Sequence, residues 1–165
     1  MTIKTSVRWL PRPQSKYPGC YPIGFENMLP DILKTENYVH LFAGECKTGY
    51  RVDINPNVKP DLIADVHDLS MLKDESFDGA MADPPYTSYF AKVKYNGPYP
   101  KFNIWTKEIV RIVKSGGRIG IMNNYICPNL KGCKYEEIIV LLTRIKQYPK
   151  IVTIYLKLWK NILNL

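Results

Sequence analysis

Short apolar runs, each closing on a glycine or an aspartate, punctuate the first half of the chain. Residues 38–42 run into Ala43-Gly44, residues 50–54 close around Asp53, residues 62–65 end on Asp65, and residues 77–82 end on Asp83. Runs of this length, apolar on both faces and bounded by turn formers, predict parallel strands buried in a sheet. Residues 118–123 predict a further strand, and residues 137–144 and 150–159 predict an antiparallel hairpin joined through Gln147, Tyr148 and Pro149. A helical period appears twice. It covers residues 26–34, with Phe25, Met28, Leu29, Ile32 and Leu33 on one face, and residues 103–114, with Ile104, Trp105, Ile109, Ile112 and Val113 apolar. Ser115-Gly116-Gly117 is the expected stop of the second helix.

Two connections are too short for their task. About seven residues separate Gly44 from Val52, and residues 55–60 carry two prolines, whereas a parallel crossover ordinarily takes a dozen or more residues, commonly a helix. The expectation is a single α/β domain over residues 1–165 with two crossover helices missing. Pro11, Pro13, Pro18, Pro22 and Gly19 predict an irregular arm over residues 1–22, and Pro128 and Gly132 predict an irregular stretch over 124–136. With strands apolar on both faces and two helices gone, a bare sheet face is expected. A twofold homodimer through that face is the expected cover, with the competing solution that the arm, with Trp9, Tyr17, Tyr21 and Phe25, folds back over it and keeps the protein monomeric.

The chemistry converges on Asp83-Pro84-Pro85-Tyr86. A residue before proline is pushed into extended backbone, and two prolines in succession fix φ and remove N–H donors. The turn therefore offers the Asp83 carboxylate and the Pro84 carbonyl as acceptors, with the Tyr86 ring beside them, an arrangement that suits a planar amine. The other strand ends point to the same place, because ligands of an open parallel sheet bind beyond the carboxyl ends of its strands.

These four residues match in full the Asp-Pro-Pro-Tyr motif of the amino-methyltransferases, and from residue 38 to about 158 the chain resembles a minimal class I S-adenosylmethionine-dependent methyltransferase of that type. The resemblance implies an α/β, Rossmann-like sheet, mostly parallel with an antiparallel C-terminal hairpin and a reduced helix complement. It implies S-adenosylmethionine as cofactor and the exocyclic amine of a nucleobase in DNA or RNA as acceptor, adenine N6 ahead of cytosine N4. DNA methylation is one such activity. Asp83, Pro84, Pro85 and Tyr86 are then the catalytic residues. Phe42, Ala43 and Gly44, Asp53 and Ile54, Asp65 and Val66, and Asp83 are the cofactor-binding residues, with Asp53 on the ribose hydroxyls and Asp65 beside the adenine ring. Residues 16–22 loosely resemble the segment that lines the methionine end of the cofactor. The chain departs from the pattern where Cys46 stands in place of the usual second glycine. Two other readings stay open: methylation of a protein side-chain amide or a small molecule, and a catalytically inactive module that binds cofactor or nucleic acid.

Net charge sharpens the picture through its distribution. The total is +8, but residues 1–86 carry 9 Lys/Arg against 12 Asp/Glu and residues 87–165 carry 14 against 3. An acidic half suits a cationic sulfonium, and a basic half suits a phosphate backbone. Residues 87–102 read as a long loop that interleaves aromatic and basic side chains, and Tyr89, Lys92, Lys94 and Lys101 are the candidate contacts to nucleic acid. Cys20, Cys46, Cys127 and Cys133 show no Cys-x-x-Cys spacing, so reduced thiols and no metal site are expected. His67 stands near Asp65 without a triad and is read as structural. No apolar run approaches the ~20 residues of a membrane helix, and no segment has the order of a signal peptide, so a soluble cytoplasmic protein is expected.

Overall fold

The computed structural model describes residues 2–13, 20–95, 97–144 and 148–159. Eight strands form one sheet in the order β1-β7-β8-β6-β5-β2-β3-β4. They are β1 (Lys4–Trp9), β2 (Tyr38–Leu41), β3 (Tyr50–Asp53), β4 (Leu62–Ile63), β5 (Phe77–Ala82), β6 (Val113–Asn123), β7 (Cys133–Leu142) and β8 (Lys150–Lys157). Strands β6-β5-β2-β3-β4 are mutually parallel, and β8 runs antiparallel to both β6 and β7. This is the mostly parallel sheet with an antiparallel hairpin that the periodicity predicts. Sequence order reverses between β5 and β2, which makes the carboxyl ends of β2 and β5 the switch point where a crevice opens.

Three α-helices are present among the described residues: α1 (Phe25–Leu33), α2 (Ser88–Tyr95) and α3 (Phe102–Ile112). Helix α3 buries Trp105, Ile109 and Ile112 against one sheet face, where Val39, Leu41, Val52, Ala80 and Ala82 meet it. Helix α1 buries Phe25, Leu29, Ile32 and Leu33 against the other face, on Tyr38, Met81, Met122 and Ile154. The division follows from alternation along the strands: Ala80 and Ala82 look one way, Met81 the other.

No α-helix joins β2 to β3 or β3 to β4, only a single turn of 3-10 helix at Pro56–Val58. The β2–β3 connection does the covering itself by running down the α1 face. Cys46 Sγ lies 3.0 Å from His40 Nδ1, and Gly49 presses on the Tyr38 ring. Gly49 has φ +74°, and a Cβ there would sit 2.5 Å from that ring, so the descent requires glycine. Tyr21 and Phe25 close the rest of this face at β2, as the folded-back arm would, but Trp9 takes no part: it is exposed on β1, at the opposite edge of the sheet. Tyr17 lies outside the described residues.

Four expectations need correction. The arm is not irregular throughout: Lys4–Trp9 forms β1 and pairs in parallel with β7, Ser6 Oγ donating to Glu137. The helical period stops at Ile112, and Ser115-Gly116-Gly117 lies within β6, where Gly116 at φ +83° absorbs a register shift against β5. Residues 88–95 are helical and not loop. On β3 the two faces differ. Val52 is buried in the core and Tyr50, though exposed, rests its ring on Phe77, while Arg51, on the α1 side, is ion-paired to Asp61 at 3.1 Å, so the bare apolar face expected there is a smaller and more polar one. No helix among the described residues is long and apolar enough to cross a membrane.

Candidate active site

A cleft of about 590 Å³ opens at the switch point, lined from the strand ends by Phe42, Gly44, Asp53, Asp65, Val66 and Asp83. Ile54 and Pro85 also reach it, and Ala91, Lys94 and Tyr95 of α2 close its far side. Seven of the eight residues read as cofactor-binding therefore meet in one place. Ala43 does not: it is buried and borders a second hollow on the α1 side with Cys46 and Tyr21.

The glycine loop is held by Asp53. One carboxylate oxygen accepts the Gly44 N–H at 2.8 Å and the other accepts the Asn55 N–H at 2.9 Å, so the carboxylate ties the ends of β2 and β3 together while its remaining lone pairs face the cleft. Phe42 sits in the left-handed region at φ +56°, where a bulky side chain is strained by ~1–3 kcal/mol, and its ring packs edge-on against Trp105. Asp65 accepts from the His67 backbone and imidazole, at 2.9 and 2.6 Å, and His67 Nε2 accepts the Lys101 N–H. His67 thus pins residue 101 beside the cleft, a structural task in keeping with its reading from sequence.

Asp83 leaves β5 with its N–H on the Leu41 carbonyl and with Pro84 buried behind it. Tyr86 Oη donates to Asp83 Oδ1 at 2.8 Å. Burial pushes the Asp83 carboxyl above its usual range, while the charge of Lys150 and the Tyr86 hydrogen bond pull it back. Burial also raises Tyr86, followed by the neighbouring Asp83 charge, so its phenol is a neutral donor. Lys150 Nζ stands 5.3 Å from the centroid of the Tyr86 ring. Lys150 was not among the residues singled out from the sequence. Because β8 is antiparallel, its first residue lies at the carboxyl ends of the other strands, and that reversal was the available signal.

Three further side chains brace the site from below. Tyr21 Oη is 2.7 Å from His40 Nε2, and Cys46 holds the other ring nitrogen, which links the arm to the glycine loop through a fully buried imidazole. Burial pushes His40 down to about 4, so it is neutral at ordinary pH. On the acceptor side the candidates spread out. Lys94 lines the cleft, whereas Tyr89, Lys92 and Lys101 are exposed and do not line it. Asn96 lies outside the described residues.

No family profile and no curated protein matches the sequence. Solved structures do match the fold. TrmN from Thermus thermophilus superposes with a TM-score of 0.57 at 15% identity, over 81% of this chain and 48% of that one, so this chain spans about half the length of TrmN. A SAM-dependent methyltransferase from Methanosarcina mazei gives 0.54 at 14% identity, over 86% of this chain and 99% of that one. An rRNA methylase from Streptococcus thermophilus gives 0.51 at 13% identity, over 81% and 94%. At these identities the likeness is one of architecture: the chain has the class I methyltransferase fold, with few helices.

Proposed function

We propose that this protein is an S-adenosylmethionine-dependent methyltransferase acting on the exocyclic amine of a nucleobase in DNA or RNA, adenine N6 ahead of cytosine N4. The observation that carries the reading is the Asp83-Pro84-Pro85-Tyr86 turn, whose Asp83 and Pro85 line a cleft with three carboxylates and whose Tyr86 hydroxyl is bonded to Asp83. Solved neighbours of the same architecture include a SAM-dependent methyltransferase and an rRNA methylase, which favours both the cofactor and the substrate class.

The donor set fits the cofactor. Asp53 suits the ribose diol, Asp65 and Val66 suit the adenine, and the summed negative charge of Asp53, Asp65 and Asp83 suits a sulfonium. S-adenosylmethionine would supply an electrophilic methyl group there. On the protein's side, Asp83 and the Pro84 carbonyl accept the two N–H bonds of the acceptor amine. That draws its lone pair out of the ring and aims it at the methyl carbon. The methyl would pass to the nitrogen with the C–S electron pair kept on sulfur, and the amine's surplus proton would leave to water. The Tyr86 ring offers a stacking face for a base drawn out of its helix, and the lysines about the cleft offer partners for its phosphates. The amine must share Asp83 with the Tyr86 hydroxyl or displace it, since one oxygen is engaged.

Radiolabelled methyl transfer from S-adenosylmethionine to separate DNA, RNA and protein pools tests the assignment. Label in a nucleic-acid pool is expected. Label confined to protein would replace the nucleobase by a side-chain amide, and no label in any pool would leave a binding module.

A further inference from the structure

We propose that Lys150 is a positioning residue of the acceptor site: its ammonium, held over the Tyr86 ring, keeps Asp83 a carboxylate and fixes the Tyr86–Asp83 pair. The inference rests on the reading of Asp83 as the acceptor of the substrate amine. A protonated carboxyl would have one oxygen fewer to accept with, and burial pushes the Asp83 carboxyl in that direction.

The groups around Asp83 show why a cation is needed. From its own turn comes the Tyr86 hydroxyl, and from the arm comes Tyr21, whose phenol is itself held neutral by burial and engaged with His40. Across the cleft stand Asp53 and Asp65, both acidic, with Lys94 on α2. The charge acting to hold Asp83 ionised is Lys150, delivered from β8. At 5.3 Å from the ring centroid the ammonium is also within cation–π range of Tyr86, whose hydroxyl is hydrogen-bonded to Asp83 at 2.8 Å. One side chain thus acts on both members of the pair, by charge on the carboxylate and by ring contact on the tyrosine. A lysine stem that only capped the first residue of β8 would need no such placement.

The test is a carbon-13 NMR titration of the Asp83 carboxyl in the full chain, with the resonance assigned by its loss in Asp83→Asn. Removing a positive charge must raise a carboxyl midpoint. Lys150→Met is expected to move it up by about one pH unit, and Lys150→Arg, which keeps the charge, to leave it within about 0.3. Lys94→Met, which removes a cleft lysine of the same charge, should move it by less than half as much as Lys150→Met. An unchanged midpoint in Lys150→Met, or an equal rise in Lys94→Met, would overturn the proposal. Where methyl transfer is measurable, the acid limb of kcat/KM should follow the NMR midpoint in Lys150→Met. If the wild type transfers no methyl to any acceptor, the proposed function fails while the titration still decides the role of Lys150.

Discussion

On the strand side of the crevice, Asp53 engages both carboxylate oxygens with backbone N–H groups, and His40 ties the arm to the glycine loop from a fully buried position. Across from it, α2 buries Ala91 alone among its eight residues and turns Tyr89, Phe90 and Val93 to solvent. A cofactor common to every turnover is served by a preformed site of rigid strand ends. A large polymeric substrate is better served by a surface whose aromatic and cationic groups are not yet committed. Substitutions on the first side should therefore act on cofactor affinity and stability, and those on the second on substrate handling, with Asp83 at the boundary.

The largest effect is expected at that boundary. Asp83→Ala should lower methyl transfer by about 10³-fold or more and leave cofactor affinity within about tenfold, because the proposed reaction assigns its carboxylate to the acceptor amine. Tyr86→Ala should act in the same direction and less severely. A full-rate Asp83→Ala enzyme would remove the proposed site.

Next comes the stability of the strand side. His40 is pushed from its ordinary 6.5 to about 4, so the unfolded chain takes up a proton that the folded protein refuses. The stability of the neutral, buried form is fully present above about pH 6.5 and is lost as pH falls through 4, in total about 3 kcal/mol. Urea denaturation between pH 7.5 and 4.5 should show this loss in the wild type and a flatter profile in His40→Gln. Equal slopes would mean that the imidazole is not the group responsible.

Asp53→Ala should weaken S-adenosylmethionine binding by about 1.5–3 kcal/mol by calorimetry, the range for a charge-assisted hydrogen bond. Its two backbone bonds are lost in the same step, so Asp53→Asn separates loop anchoring from charge. On the opposite side, neutralising Lys92, Lys94 and Lys101 together should flatten the salt dependence of nucleic-acid binding more than neutralising Lys47, Lys59 and Lys73. Equal changes would erase the division between the two sides.

The same contrast governs what could be read from sequence. The strand ends were legible because each apolar run closes on a Gly or Asp, and Asp83-Pro-Pro-Tyr carries its geometry in its own covalent constraints. The cleft they form contains seven of the eight cofactor candidates. What escaped depends on contacts far apart in sequence. β1 is an edge strand only because β7 is there to pair with it, and a lysine after Pro149 comes over the Tyr86 ring only because β8 runs backwards. Likewise, the face without crossover helices is covered by Cys46, Gly49 and Tyr21, whose roles appear only once the loop descends over His40 and Tyr38. With that cover and the Arg51–Asp61 pair beside it, light scattering at micromolar concentration should find a monomer, and a dimer would place a second copy on exposed Ile63 and its surroundings.

The central claim is that the Asp83 turn presents a nucleobase amine for methylation. Its most direct measurement is nuclease digestion of nucleic acid treated with enzyme and radiolabelled S-adenosylmethionine, followed by chromatography of the nucleosides beside an Asp83→Ala control. The account predicts label in N6-methyladenine or N4-methylcytosine nucleosides, absent from the control. Label on a ring carbon, on ribose or on protein, or equal label from the Asp83→Ala control, would contradict it.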